Sequence, residues 1–262
     1  MHILITNDDG IHAPGLQVLE RIAEALNATT VTVVAPESDQ SGVSHSLSLN
    51  DPLRLREVSP GHFAVQGTPT DCVIMAVHKI LEGRRPDLVL SGVNAGHNVA
   101  EDVTYSGTVA GAMEAAILGI PAISLSQSFP PGGRDAIPWD NVETHAPGVL
   151  RRILDLGIAP STLINVNFPR CSAAQVKGVS VCSQGKRDAA LLRVEERLDG
   201  RHRPYYWIGF HRQTSEPAAG TDLAALAADR ISVTPLLVDL TDRQNLVKYA
   251  SAFSSEVDTG SR

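Results

Sequence analysis

Short β-rich runs alternate with helical patterns through the first two-thirds of the chain. That alternation predicts an α/β fold on a Rossmann-like, doubly wound, mostly parallel sheet covered on both faces. A second observation agrees with it: polar residues gather after each of the first three predicted strands, where doubly wound sheets bind their ligands. A third marks where the pattern changes. From about Val179 to Phe210 the chain reads as strands joined by polar turns, an antiparallel β extension toward the C-terminus rather than another βαβ unit.

The elements follow in order. His2-Ile3-Leu4-Ile5-Thr6 reads as a buried strand. A helix from about Gly15 to Leu26 places Leu16, Leu19, Ile22, Ala23 and Leu26 on one face. Val31–Ala35 is a second strand, stopped by Pro36. Thr70 is expected to cap a helix carrying Val73, Ala76, Val77, Ile80 and Leu81, which ends at Gly83. Asp87–Ser91 is the third strand, Thr108–Leu118 a helix of small and apolar residues closed by Gly119, and Ile120–Leu125 the next strand. A loop opens at Phe129-Pro130-Pro131-Gly132-Gly133, a helix spans roughly Val142–Leu156, and Leu163–Asn167 is a strand. Residues 1–175 are thus expected to form the Rossmann-like α/β catalytic core. Residues 176–240 form a β-rich extension that returns to the core, and 241–262 a partly disordered tail, polar over Ser254–Arg262.

The chain's 262 residues suffice for one α/β domain with an extension. A net charge of −7 argues against a nucleic-acid duplex or an anionic membrane as partner. It leaves room for a small phosphate ligand held by backbone amides and a metal. No apolar run approaches the ~20 residues of a spanning helix. The N-terminus lacks the basic and long apolar regions of a signal peptide. Cys72, Cys171 and Cys182 are odd in number and lack metal-type spacing, which suits reduced thiols packed as small hydrophobes. Together these features predict a soluble, cytoplasmic protein.

Asp8 and Asp9 stand side by side in Ile5-Thr6-Asn7-Asp8-Asp9-Gly10. Taken alone, the pair reads equally well as a hard divalent-cation site or as a solvated turn with Asn7 and Gly10. The neighbouring segments favour the cation. Strand two is followed by Pro36-Glu37-Ser38-Asp39-Gln40-Ser41-Gly42, and strand three by Gly92-Val93-Asn94-Ala95-Gly96-His97-Asn98. All should converge on one sheet edge. Ser106-Gly107-Thr108 opens a helix whose first amides are unpaired and carry the positive end of the dipole. Gly107 permits close backbone approach, and the two hydroxyls suit phosphate oxygens. A metal beside two carboxylates and a facing helix N-terminus point to phosphate-ester chemistry. His45 and His97 are placed to act as an acid or to stabilise charge. His2, His62, His78, His145, His202 and His211 read as surface or packing residues.

Taken together, Ile5–Gly10, Val34-Ala35-Pro36…Ser41…His45-Ser46, Gly67-Thr68-Pro69-Thr70-Asp71-Cys72-Val73, Ser91–Gly96…Asn98 and Tyr105–Val109 resemble the SurE (survival protein E) family of 5′-nucleotidases. Asn165-Val166-Asn167-Phe168-Pro169, Pro204–Gly209 and Ser232–Leu236 extend the likeness over roughly Met1 to Leu240. The resemblance implies a SurE-like fold and a divalent-metal-dependent hydrolase of nucleoside 5′- and often 3′-monophosphates that releases phosphate through a metal-activated water. It implies one Mg²⁺ or Mn²⁺ per subunit on Asp8, Asp9, Ser41 and Asn94, with Asp8, Asp9 and Asn94 at the catalytic centre. Asn98, Ser106, Gly107 and Thr108 would meet the phosphate. It also implies a homodimer or homotetramer assembled through the C-terminal extension. Two positions depart from the family pattern. His97 stands where proline is common, which reshapes the loop or adds a titratable group beside the phosphate. Ala227-Ala228-Asp229-Arg230 replaces a glycine–aromatic pair. An aspartyl-phosphate mechanism fits the adjacent pair poorly, because such enzymes space their two aspartates. A non-catalytic nucleotide-binding module is the other alternative, disfavoured because every ligand position is filled.

Overall fold

The computed structural model describes residues 1–187, 192–210 and 216–254. In chain order the elements are β1 (His2–Thr6), α1 (Pro14–Ala25), β2 (Thr30–Pro36), β3 (Leu55–Ser59), β4 (His62–Val65), α2 (Pro69–Met75), β5 (Leu88–Ala95), α3 (Asp102–Tyr105) and α4 (Gly107–Ile117). They continue with β6 (Ala122–Gln127), α5 (Trp139–Leu156), β7 (Thr162–Phe168), β8 (Val179–Val181), β9 (Leu192–Leu198), β10 (Pro204–Phe210), α6 (Asp222–Ala227), β11 (Ile231–Leu237) and α7 (Arg243–Ser254).

One sheet has the order β3-β4-β2-β1-β5-β6-β7-β11-β8, and β9 and β10 form a separate antiparallel hairpin. Pairing is parallel from β4 through β2, β1, β5 and β6 to β7, with antiparallel neighbours at β3 and at the β7–β11 junction. β11 thus joins the core sheet beside β7. The strands are near-continuous apolar runs because both faces are covered. Ile3, Ile5, Val33, Leu88, Leu90 and Ile123 meet α1 and α5 on one side. Leu4, Val34, Val89 and Ala122 meet α2 and α4 on the other. β2 and β5 flank β1 on opposite sides, so the strand order reverses there. That switch point opens a crevice at the strands' carboxyl ends.

Several local expectations differ from the structure. Thr68, not Thr70, caps α2: Thr68 Oγ1 accepts the Asp71 N–H (3.1 Å) while Asp71 Oδ2 accepts the Thr68 N–H (2.8 Å). This is a capping box, with Asp in the position usually held by Glu or Gln. Helix α2 continues into a π-helical turn, Ala76–Ile80, and is capped at Leu81, ahead of Gly83. β5 does not stop at Ser91 but runs to Ala95, so Asn94 sits on the strand itself. β6 starts at Ala122 rather than Ile120. The β3–β4 hairpin and the short helices α3 and α6 carry no strong period and were not anticipated. The stretch expected as a tail forms helix α7 over Arg243–Ser254, and residues 255–262 lie outside the described residues. Among the described residues, no helix is long and apolar enough to cross a membrane.

Candidate active site

β1 ends at Thr6, so the aspartates lie just past the strand. Asn7 folds the following residues into a turn: its Nδ2 donates to the Gly10 carbonyl (2.9 Å) and its Oδ1 accepts the Gly10 N–H (3.2 Å). Gly10 adopts φ +102°, a region that disfavours any side chain. The two-residue alternation of the strand is therefore broken before Asp8, the condition for adjacent carboxylates to serve one site.

Asp8 is buried against α4. Thr108 Oγ1 donates to Asp8 Oδ1 (2.5 Å). A Cβ on Gly107 would stand 2.8 Å from Asp8 Cβ and 3.1 Å from Oδ2, so only glycine lets the helix start come this close. Burial, and after it the charge of Asp9, pushes the Asp8 carboxyl up to about 7 against the opposing Thr108 hydrogen bond. Asp9 turns to the end of β5, where Oδ2 accepts the Ala95 N–H (3.0 Å), next to Asn94. Burial raises its carboxyl too, against the Ala95 hydrogen bond and Arg134. Arg134 Nη1 lies 3.6 Å from Asp9 Oδ1 and 3.8 Å from Asp39 Oδ2.

The other expected ligands fall nearby. The Gln40 N–H donates to the Asp8 carbonyl (2.8 Å), which draws the Ser41 segment over the aspartates. Asn94 is buried and its Nδ2 donates to the Gly96 carbonyl (2.8 Å), so its acceptor oxygen is the end left for a ligand. Two raised carboxylates with neutral oxygens beside them form a donor set that fits a hard divalent cation. Among the described residues there is no cluster of three or more His, Cys, Asp or Glu that could hold a metal. Beyond the two carboxylates, a shell here would rest on neutral oxygen donors.

The helix start is organised as expected, with one difference. Ser106 Oγ accepts the Val109 N–H (3.0 Å), and the first intrahelical bond runs from Ala110 N–H to the Ser106 carbonyl (3.1 Å). The amides of Gly107 and Thr108 precede it and point out of the helix. The Thr108 hydroxyl, expected to donate to phosphate, is instead committed to Asp8. Asn98 serves the same line from inside: its Nδ2 donates to Ser126 Oγ (2.9 Å) and to Thr108 Oγ1 (3.4 Å).

The histidines divide. His45 Nε2 lies 2.9 Å from Glu114 Oε2, well along α4, rather than on the aspartate pair. His97 contacts Ser128 Oγ through Nδ1 (3.3 Å) and the Arg187 guanidinium through Nε2 (3.2 Å), linking the loop to the base of the extension. His2, His62 and His145 bond to Thr32, Glu20 and the Ala173 carbonyl, His78 and His202 are exposed, and His211 lies outside the described residues. Arg134 has no motif around it to mark it in the sequence. Asn165 and Asn167 had no role assigned from the sequence, although their two-residue spacing on β7 puts both amides on one face.

The profile of the family described as "Survival protein SurE" matches residues 3–190. A protein named 5′-nucleotidase SurE from Methylocella silvestris is 62% identical over 252 residues, covering 96% of this chain and 99% of that protein. Its namesake from Beijerinckia indica subsp. indica is 61% identical over 254 residues, 96% of each chain. A crystal structure of the SurE protein from Aquifex aeolicus superposes with a TM-score of 0.78 at 40% identity, over 96% of this chain and all of that one. This chain belongs to the SurE family.

Proposed function

We propose that this chain is a divalent-metal-dependent nucleotidase that hydrolyses nucleoside 5′-monophosphates, and 3′-monophosphates as well, to nucleoside and phosphate. The observation that carries the reading is buried Asp8 pressed against the glycine start of α4, with half-buried Asp9 beside it at the end of β5. The relatives' shared name, 5′-nucleotidase, supports it.

Asp8, Asp9, Ser41 and Asn94 would hold one Mg²⁺ or Mn²⁺. When bound, such an ion polarises a phosphoryl group and lowers the pKa of a water to near neutrality. The chain's own residues do the rest. Thr108 donates to Asp8 Oδ1 and so favours the ionised carboxylate against the effect of burial. Ser106 and the amides of Gly107 and Thr108 offer donors to the phosphate oxygens, and the helix dipole favours negative charge there. Arg134, half exposed at the rim, adds a cation within reach of the same anion. Water oxygen bonds to phosphorus, the bond to the nucleoside oxygen breaks, and that oxygen leaves with a proton.

The extension suits assembly into a homodimer or homotetramer. Tyr206, Trp207 and Ile208 on β10 and Val247, Tyr249 and Phe253 on α7 are exposed apolar residues of the kind that interfaces cover. A cytoplasmic location accords with free Cys72, Cys171 and Cys182. The test is phosphate release from a panel of nucleoside monophosphates with Mg²⁺, Mn²⁺ and Co²⁺ in parallel. Release that depends on the ion and is lost in Asp9→Asn is expected. No release with any pairing would remove the proposal.

A further inference from the structure

Asn165 and Asn167 on β7 are fully buried, in strand positions where an amide is disfavoured and an apolar residue would pack at lower cost. Both spend their amides on one residue. Asn167 Oδ1 accepts the Asn98 N–H (2.7 Å) and its Nδ2 donates to the Asn98 carbonyl (3.2 Å). The side chain thus pairs with that peptide as a neighbouring strand would. Asn165 Nδ2 donates to the same carbonyl (2.8 Å). Ser124 Oγ donates to Asn165 Oδ1 (2.9 Å), which fixes the amide's orientation.

The loop they hold has little ladder of its own. The Gly96 N–H reaches the Gln127 carbonyl (3.0 Å), and then the chain leaves the sheet. Ala100 sits at φ +52°, its N–H bonded to Asp222 Oδ2 (3.0 Å). Between those two points the clamp holds the main chain at Asn98, while His97 meets Ser128 and Arg187 and the Val99 carbonyl accepts the Asp102 N–H (3.1 Å). Asn98 in turn aims its Nδ2 at Ser126 and Thr108, and Thr108 donates to Asp8.

We propose that Asn167, backed by Asn165, is a positioning residue of the reaction: it clamps the Asn98 backbone and so fixes the line Asn98–Thr108–Asp8. The proposal rests on the nucleotidase reading above. Groups bonded directly to a metal ligand are worth roughly 10–100-fold in metal affinity or activity. Asn167 acts on Asp8 through Asn98 and Thr108, which puts the expectation at the low end of that range. Asn167→Ala is therefore expected to weaken Mn²⁺ binding about tenfold and to lower kcat for AMP at least as much, with KM changed only a few-fold. Asn165→Ala should act in the same direction and less strongly.

Asn141→Ala is the control. Asn141 is equally buried and donates to the Pro169 and Cys171 carbonyls, but it does not touch Asn98. Three readouts are compared on the folded proteins: Mn²⁺ titration calorimetry, steady-state kinetics, and hydrogen exchange of residues 95–101 without metal. Faster exchange of that loop with weakened Mn²⁺ binding in Asn167→Ala, and neither in a comparably destabilised Asn141→Ala, is the expected result. Mn²⁺ affinity and kcat within about twofold of wild type in Asn167→Ala, or equal losses in Asn141→Ala, would overturn the clamp. Failure of the wild type to bind Mn²⁺ or release phosphate would instead sink the nucleotidase reading, and the exchange data would still report on the clamp's geometry.

Discussion

Metal-free protein should lose stability as the pH rises from 5 to 8, and a divalent cation should restore it. Burial lifts the Asp8 carboxyl from 3.8 to about 7 in the folded chain. Between those values the native state binds more protons than the unfolded state, so stability falls as pH increases. At about 1.4 kcal/mol per pH unit, the loss through Asp8 between pH 5 and its folded value near 7 is about 3 kcal/mol, complete above pH 7. For a chain of this size, with Tm moving about 2–4 °C per kcal/mol, that is on the order of 10 °C. Asp9 shifts in the same direction and adds to it. The assay is calorimetric unfolding in EDTA at pH 5 and pH 8, repeated with saturating Mn²⁺. Asp8→Asn isolates this carboxylate from other titrating groups, such as His62, which Glu20 holds above its ordinary value despite burial. Wild type should be clearly less stable at pH 8 in EDTA, Asp8→Asn should flatten that slope, and Mn²⁺ should stabilise wild type more at pH 8 than at pH 5. A metal-free Tm as steep in Asp8→Asn as in wild type would refute the reasoning.

Three further outcomes follow from the same geometry. Gly107→Ala puts a methyl 2.8 Å from Asp8 Cβ. It should cost about 1–3 kcal/mol in denaturant unfolding and abolish most phosphate release, because Asp8 must move. Thr108→Val removes the donor to Asp8 Oδ1 while keeping the shape. Its destabilisation, about 1–3 kcal/mol, should be larger at pH 8, where Asp8 is charged, than at pH 5. Arg134→Ala should leave Tm nearly unchanged, since a half-exposed ion pair contributes at most about 1 kcal/mol. The same variant should bind Mn²⁺ more tightly in calorimetry, having lost the cation nearest Asp9, while its KM for AMP rises.

The strands and helices that bury a full apolar face were legible from their periods, as α1 and α5 illustrate with Leu16, Leu19 and Ile22 and with Val142, Ala146 and Leu150. The β3–β4 hairpin was not legible, because Leu55–Ser59 is an exposed edge strand without a buried face to impose a pattern. The α2 cap was misplaced by two residues because Thr68 and Thr70 are chemically alike. Only Asp71, three residues after Thr68, distinguishes them. At the site, Asp8, Asp9 and Asn94 were legible as chemistry out of place, carboxylates and an amide beside apolar strands. Arg134 was not, because an arginine in a Gly- and Pro-rich loop carries no positional signal. The hydroxyl of Thr108 was legible as a donor, but its acceptor lies a hundred residues away in Asp8, and only the packing of α4 on β1 reveals it.

Anomalous diffraction from crystals soaked in Mn²⁺ tests the central claim most directly. A single strong peak within bonding distance, about 2.2 Å, of oxygens from Asp8, Asp9 and Asn94, with Ser41 beside it, is the predicted result. A Mn²⁺ peak elsewhere in a crystal of protein that releases phosphate from AMP would contradict it.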